Sequence, residues 1–466
     1  MKLPEIMEEI VNCIKIQCDN ELEVYPIYNM FLARFSSAIA SKNILTDSSR
    51  HSEEKPLAYY SLNFLPSGGN KDKPFTIIKN LFRWLDIEYD NKNDELKERF
   101  INGCIKKLPD SKKEDVAALN KIKENAENLS KLKTRINGAT SQKIYQICDL
   151  IRRSEFGSLF FFDTEFVNKF EKTNKNGNYD DTLASIYNLY EGVPDFTDTA
   201  LTDRSAVEKI SCSVCFASDF GKMLRTKKLR ESFNEYLAGG FARRTFIYTS
   251  KETNGLRVEV DYPELEEKMV EKNKMPALSE RLHQLYDMVQ PNRIYKFSFE
   301  ADKLINEYHQ ETKKYVREHF SYADVLPIED EIIKVDLEGS AWKIIKTAFL
   351  FHFMIEPSKL EVSANTVQIA IDYYKTFQKF LPILLNKQTL GETQKFKIFV
   401  YKHLDEKLKL NSDEIKRLFS ADPAKWKAFK RDLLPDILEE LENEGIYNVI
   451  TKDGRLEYIK FYRKEK

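Results

Sequence analysis

The stretch Ser61–Phe75, SLNFLPSGGNKDKPF, carries the residues best suited to phosphate chemistry. A phosphate site needs backbone N–H groups that converge on oxygen atoms, a helix N-terminus behind them and a lysine that reaches the β- and γ-phosphates. Here a strand-like run leads into the candidate nucleotide-binding residues Ser67, Gly68, Gly69, Asn70, Lys71 and Asp72, ahead of a helical pattern. The stretch predicts a site for ATP, and the alternative is an ordinary glycine-containing turn.

The loop departs from the pattern G-x-x-x-x-G-K-[ST] at three positions. Leu65 and Asn70 replace the two glycines, and Asp72 replaces the hydroxyl residue that binds Mg²⁺. Asn tolerates a positive φ better than other non-glycine residues, so Asn70 can hold the turn. A carboxylate at position 72 can bind Mg²⁺ directly but repels phosphate. Asp72 is therefore both a candidate metal ligand and the residue that most opposes nucleotide binding.

A second candidate group follows the apolar run Ser158–Phe162, SLFFF. A carboxylate at the end of a buried strand can hold Mg²⁺ and polarise water. We assign Asp163 as a metal ligand and Glu165 as a catalytic residue, with the register of the two acids left open. Taken alone, the run also fits a strand that ends in a polar turn.

Two later segments complete the candidate catalytic set. The strand-like run Ile210–Ala217 ends at Ser218, whose hydroxyl would sit between the acid and the γ-phosphate. Arg243 and Arg244 follow a Gly-Gly turn, a position from which arginines can reach the γ-phosphate of a neighbouring subunit. The alternative for the two arginines is a pair of solvated surface residues.

Two basic regions are candidate DNA-binding surfaces. The window Gly221–Arg230 holds five basic residues and no acid: Lys222, Arg225, Lys227, Lys228 and Arg230. Near the C-terminus, Lys452 and Arg455 flank a predicted hairpin turn. Nucleic-acid contact competes with a solvated surface turn in the first region. In the second it competes with protein docking, because the acidic run Glu439–Glu444 would repel phosphate.

Composition bounds the class of protein. With 466 residues, 42% apolar residues, 32% charged residues and 15 glycines, the chain predicts two or three domains rich in helix. The net charge of -1 means that the chain has no overall positive charge that would attract nucleic acid, so any such contact would come from local basic patches. Six scattered cysteines fit a reducing compartment, and Cys212 and Cys215 are read as buried thiols. We expect a cytoplasmic protein without a membrane partner, because Ile344–Ile355 is too short to span a bilayer.

Short apolar runs separated by helical stretches predict an α/β fold with a buried, mostly parallel sheet. We expect an N-terminal helical region over residues 1–55, with a polar loop at Thr46–Lys55. An α/β core follows over 56–255, with a helical insertion at about 86–135, and then a helical domain over 256–388. Residues 389–466 read as three short helices and a β-hairpin, which is the order of a winged helix.

The order of these segments resembles the phage- and plasmid-borne P-loop ATPases of the primase-helicase type. The resemblance covers about residues 56–250 and rests on the glycine-lysine loop and on the segments TRINGATSQKIYQICD, SLFFFDTEF, NLYEG, ISCSVCFASDFGKML and GGFARRTFIY. The order and spacing of these segments are more specific than any one of them. Asn70, Asp72 and the separated acids Asp163 and Glu165 depart from the family pattern.

The resemblance implies a RecA-like or AAA+-like ATPase core that uses ATP and Mg²⁺ and forms a homo-oligomer, usually a ring. Such proteins act on single- or double-stranded DNA during replication of a mobile element in a bacterial host, together with other replication proteins. By position, Lys71 would be the phosphate lysine, Asp163 and Glu165 the metal and water residues, and Ser218 the sensor. Arg243 or Arg244 would be the arginine finger. The alternative is a catalytically inactive relative that serves as a DNA-binding, helicase-loading or protein-interaction scaffold.

Overall fold

The computed structural model describes most of the chain outside several loops and the C-terminal helices. The described residues are 3–19, 22–50, 52–65, 72–109, 115–129, 131–136, 141–167, 170, 186–192, 209–219, 227–250, 263–320, 326–385, 409–411, 434, 438, 448–452 and 455–460. Within these ranges, no helix has both the length and the apolar content that a bilayer crossing requires.

The described strands are short and are spread over the whole chain. They are β1 Leu45–Asp47, β2 Lys55–Pro56, β3 Ala58–Leu65, β4 Leu159–Asp163, β5 Cys212–Asp219, β6 Thr245–Thr249, β7 Ile294–Phe297, β8 Glu361–Val362, β9 Lys409–Asn411, β10 Asn448–Lys452 and β11 Arg455–Lys460.

The helices make up most of the described chain. They are α1 Glu5–Gln17, α2 Val24–Ala40, α3 Asp72–Leu81, α4 Arg83–Lys107, α5 Val116–Glu127, α6 Ser141–Ser154, α7 Lys227–Tyr236, α8 Ala242–Arg244, α9 Leu265–Met288, α10 Phe299–Phe320, α11 Ile328–Glu338, α12 Ser340–Ile355 and α13 Ala364–Gln378. A π-helical turn, Leu237–Phe241, joins α7 to α8.

The central sheet has the strand order β4-β5-β3-β6, and all its neighbouring strands are parallel. Every residue of β3 and β5 is buried, as expected when helices cover both faces of a parallel sheet. Ile136 adds a parallel bridge to Phe161 on the outer side of β4. The prediction of an α/β fold with a buried parallel sheet is confirmed, and so is the burial of Cys212 and Cys215.

The two faces of the sheet are covered differently. Helix α2 lies on one face and bonds to it through polar side chains: Asn29 Nδ2 donates to Asn63 Oδ1 at 3.0 Å, and Tyr59 OH donates to Asn29 Oδ1 at 2.8 Å. The other face packs against aromatic residues from α7 and from the turn after β4. Phe233 meets Phe64 edge-on at 5.8 Å between ring centroids. Because successive strand residues point to opposite faces, β3 places Tyr59 and Asn63 against α2 and Phe64 against the aromatic residues on the other face.

The amino edge of the sheet is closed by α12, through two lysines that are almost fully buried. Lys343 Nζ donates to the carbonyl of Ala242 at 2.9 Å and pairs with the carboxylate of Asp336. Lys346 Nζ donates to the carbonyls of Pro56 at 3.1 Å and Tyr190 at 2.7 Å. Both ammonium groups therefore bond to backbone oxygens at or near the starts of strands, which explains how charged residues occur in an otherwise apolar helix.

The free energy of unfolding should depend on pH through Lys346. Burial lowers the pKa of this lysine from 10.5 to about 8. Between these values the unfolded chain binds more protons than the folded chain, so Lys346 makes stability rise as pH increases from about 8 to about 10. The full shift corresponds to on the order of 3 kcal/mol. Urea unfolding between about pH 8 and about pH 10 should show that the free energy of unfolding rises more steeply with pH for the wild type than for Lys346→Met. Equal pH dependence in the two proteins would contradict the assignment.

A second sheet, with the order β2-β1-β7-β8, combines strands that are far apart in sequence. The prediction of a loop over Thr46–Lys55 is wrong at both ends, because β1 pairs with β2 and runs parallel to β7. The side chain of Thr46 is fully buried and donates to the carbonyl of Lys55 at 2.9 Å. Tertiary pairing outweighs the polar composition of this segment.

A third sheet, β10-β11-β9, lies in the C-terminal region. The predicted hairpin is confirmed, since β10 and β11 pair antiparallel with Lys452 opposite Arg455. The three helices predicted before it fall outside the described residues, apart from Leu434 and Leu438. The winged helix and the domain boundaries therefore stay predictions, while one apolar core cluster extends from Leu3 to Leu385.

Candidate functional site

The carboxyl ends of the four parallel strands meet at one edge of the central sheet. These ends are Leu65, Asp163, Asp219 and Thr249. In the sheet, β4 and β5 lie on one side of β3 and β6 lies on the other. The connection from β3 to β4 therefore runs in the opposite direction across the sheet from the connection from β5 to β6, and the reversal occurs at β3. Open α/β sheets bind ligands at such a reversal, outside the carboxyl ends of the strands. The topology makes the end of β3 the candidate site.

The predicted phosphate loop joins two elements that the structure places as expected. Strand β3 ends at Leu65 and helix α3 begins at Asp72. Ser67, Gly68, Gly69, Asn70 and Lys71 lie outside the described residues, so their contacts stay predictions. Asp72 is exposed in the first turn of α3, where a carboxylate interacts favourably with the helix dipole. This position gives Asp72 a structural explanation independent of metal binding.

The beginning of α3 is anchored on both sides. Lys73 Nζ lies 2.8 Å from Asp19 Oδ2, and Lys268 on α9 pairs with the same carboxylate. The hydrogen bonds from Lys268 and Lys73 lower the pKa of Asp19. On the opposite side of the helix turn, Phe75 stacks on Phe162 of β4. The helix N-terminus is therefore held in place beside the end of the acid-bearing strand.

The acidic turn after β4 is fastened to β5. Asp163 Oδ1 accepts the backbone N–H of Glu165 at 2.8 Å, and both side chains are half-buried. The N–H of Val167 donates to the hydroxyl of Ser218 at 3.4 Å. Phe166 stacks on Phe216 with 4.5 Å between ring centroids. Ser218 is fully buried, so in this structure it acts as a positioning residue for the turn.

Strand β5 contributes a carboxylate that the sequence assignment left out. Asp219 is the last residue of β5 and is 8% exposed. It lies in register with Leu65, whereas Asp163 lies in register with Phe216, three positions earlier on β5. Asp219 is thus the acid nearest in register to the end of β3. Its signal in the sequence was its position two residues after the apolar run Ile210–Ala217.

A preformed metal cluster is absent from the described part of the chain, where no three His, Cys, Asp or Glu residues converge in a way that could hold an ion. Asp72 and Asp163 are therefore not joined there by a third protein ligand. Mg²⁺ is commonly held by one or two carboxylates together with substrate phosphates and water. The carboxylates at this edge fit that kind of site better than a metal site built from protein ligands alone.

The two candidate finger arginines lie at the opposite edge of the sheet. They directly precede β6, whose five residues span roughly 17 Å. Arg243 is exposed, whereas Arg244 Nη1 donates to the carbonyl of Gly240 at 3.1 Å and its guanidinium lies over the ring of Tyr187. Gly240 has a φ of 116°, a conformation that favours glycine. The structure does not bring these arginines to the carboxyl edge of their own chain.

The candidate DNA-binding residues are placed only in part. Lys222 and Arg225 lie outside the described residues. Helix α7 begins with Lys227 and Lys228, and Arg230, the fourth residue of that helix, is half-buried. The sequence assignment also missed Arg135, whose guanidinium carbon lies 5.0 Å from the ring centroid of Phe162. Arg135 lies beside the Ile136 bridge, in the segment TRINGATSQKIYQICD, which contributed to the resemblance but in which no residue was assigned a role.

No protein-family model matches this chain, and a search among curated proteins finds no significant relative. The functional argument therefore rests on the fold and on the geometry of the carboxyl edge.

Proposed function

We propose that this protein binds ATP with Mg²⁺ at the carboxyl edge of its parallel sheet and acts on DNA as an oligomeric, RecA-like or AAA+-like replication ATPase of a mobile element. The observation that carries the proposal is the position of the glycine-lysine stretch. It follows β3, where the strand order reverses, and directly precedes α3. A strand, a glycine-rich loop and a helix N-terminus in this order suit phosphate binding.

Each candidate residue has a distinct chemical task in this proposal. Lys71 would neutralise the β- and γ-phosphates, and the amide groups of α3 would face the same oxygens. Asp163 would help to hold Mg²⁺, which would supply positive charge that offsets the charge of the phosphates. Glu165, two residues later, would accept a proton from the attacking water. Ser218 would keep the acidic turn in position through its bond to Val167.

One observation favours the non-hydrolysing scaffold as a second candidate. Four carboxylates lie at or near the carboxyl edge: Asp72, Asp163, Glu165 and Asp219. Their combined charge would repel a triphosphate unless Mg²⁺ and cationic side chains offset it. A chain that has lost hydrolysis could retain this fold to bind DNA, to load a helicase or to dock another replication protein. In either case Lys452 and Arg455 on the C-terminal hairpin are the proposed duplex contacts.

The two candidates differ in ATP turnover. Purified full-length protein should be tested for ATP binding with Mg²⁺ and then for hydrolysis alone, with single-stranded DNA and with duplex DNA. Binding with DNA-stimulated turnover supports the ATPase. Binding of DNA without binding or turnover of ATP supports the scaffold. Absence of binding to both ATP and DNA would overturn the ATPase and the DNA-binding form of the scaffold.

The arginine pair gives a separate test of oligomeric catalysis. We expect Arg243→Ala to lose turnover but retain ATP binding, because a finger residue stabilises the transition state in a neighbouring subunit. Arg243 is exposed, so its loss should leave the melting temperature nearly unchanged. Arg244→Ala should also lower stability, because it removes the bond to Gly240. Mixing Arg243→Ala with Lys71→Ala protein should restore part of the turnover. Full activity in both single arginine variants would remove the pair from the mechanism.

A further inference from the structure

Arg135 lies where the phosphate helix and the acid-bearing strand meet. Its guanidinium carbon is 5.7 Å from the ring centroid of Phe75 and 5.0 Å from that of Phe162. Phe75 belongs to the first turns of α3, three residues after Asp72, and Phe162 directly precedes Asp163. One cation therefore contacts both elements that border the candidate nucleotide site.

The backbone of Arg135 is fixed by its neighbours on each side. The almost completely buried guanidinium of Arg34 on α2 donates to the carbonyl of Thr134 at 2.7 Å. The N–H of Ile136 donates to the carbonyl of Phe160 at 2.8 Å, and the N–H of Phe162 donates to the carbonyl of Ile136 at 3.4 Å. This short edge segment runs parallel to β4 with Ile136 opposite Phe161, so residue 135 lies beside Phe160, and its side chain extends toward the carboxyl end of the strand, where it lies over Phe162.

The aromatic contacts also suit the guanidinium to anion binding. An arginine that lies over aromatic rings keeps its N–H donors in the guanidinium plane, where they can pair with phosphate oxygens. Holding the side chain on two rings reduces the conformational entropy lost when an anion binds. The carboxylates of Asp72 and Asp163 border the same region, so a bound polyphosphate needs nearby positive charge.

We propose that Arg135 is a phosphate-contacting residue of the nucleotide site, which discriminates nucleotides by the charge of their phosphate chain. This inference rests on the proposed function, because it assigns a residue to the same site. Its substrate class is a nucleoside triphosphate or another linear polyphosphate. Because a triphosphate carries more negative charge than a nucleoside monophosphate, a guanidinium at this position favours the longer phosphate chain.

The test compares binding of ATP, AMP and inorganic tripolyphosphate to full-length protein in the presence of Mg²⁺. Arg135→Ala should weaken ATP and tripolyphosphate binding about tenfold or more, as expected for loss of a charge-assisted hydrogen bond, while AMP binding changes little. Arg135→Lys should recover part of the affinity. Arg153→Ala is the matched control, because Arg153 is 70% exposed and pairs with Asp149 on α6. Its affinities should equal those of the wild type.

The outcomes separate this inference from the function on which it rests. If the wild type binds neither ATP nor tripolyphosphate, both the nucleotide site and the role of Arg135 are overturned. If the wild type binds ATP and Arg135→Ala binds it equally well, only the role of Arg135 is overturned. Equal weakening of ATP and AMP binding, together with a lower melting temperature, would assign Arg135 a purely structural role and would also overturn the proposal.

Discussion

Replacement of Lys71 by alanine is expected to abolish Mg²⁺-dependent ATP binding while leaving the melting temperature nearly unchanged. A lysine that neutralises the β- and γ-phosphates contributes directly to affinity, and loss of several charge-assisted hydrogen bonds corresponds to about 100-fold or more in Kd. A single lysine between a strand and a helix carries little folding energy. Isothermal titration with ATP and Mg²⁺ measures the first effect, and a thermal melt measures the second.

Lys73→Ala provides the control two residues away. The side chain of Lys73 is about one-third exposed, and its ammonium lies 2.8 Å from Asp19, so it is committed to holding α3 rather than a ligand. Its removal is expected to cost less than about 1 kcal/mol of stability and to leave ATP binding within a few-fold of the wild type. Equal ATP affinity in the wild type and Lys71→Ala would show that residues 66–71 form only a turn.

The large elements of the fold could be predicted because their signals are local. Strands β3 and β5 are continuous apolar runs, and α12 and α13 show helical periodicity over many residues. The second sheet had no such signal, since β2 and β8 contain two residues each and β7 only four. Pairing between residues 45–47 and 294–297 depends on the packed chain, and local propensity carries no information about it.

The order of the candidate site residues along the chain could be predicted, but the register of the strands that carry them could not. Polar residues after apolar runs predicted that Asp163 and Ser218 lie at strand ends, and the structure has them at or near the ends of β4 and β5, whereas their chemical roles stay predictions. The sequence could not show that Asp219 lies beside Leu65, since strand register is set by tertiary packing. The role of Ser218 in binding Val167 was hidden for the same reason. Arg135 was missed because its aromatic partners come from α3 and β4, far from it in sequence.

The buried lysine Lys343 is another feature that sequence alone does not explain. It lies on α12 with its side chain only 1% exposed, and its partner Asp336 on α11 is 7% exposed. Tyr374 OH donates to Asp336 Oδ2 at 2.8 Å, so the carboxylate joins three helices. Burial lowers the pKa of Lys343, and the neighbouring carboxylate opposes that shift. The charge is therefore tolerated only while its partner is present.

Asp336→Asn is expected to destabilise the protein by about 3–5 kcal/mol, because it leaves the ammonium of Lys343 buried without a counter-charge. The double variant Asp336→Leu with Lys343→Met should recover most of that loss, since apolar residues of similar size remove both desolvated charges. Urea unfolding of each protein measures these differences. Glu356→Gln is the matched control: its pair with Lys359 lies at the exposed end of α12 and should contribute less than about 1 kcal/mol. A double variant less stable than Asp336→Asn would contradict this expectation. It would indicate that Lys343 contributes to stability mainly through its bonds to the carbonyls of Ala242 and Thr245. The amino edge of the sheet would then depend on an ammonium group at this position, which a neutral side chain cannot replace.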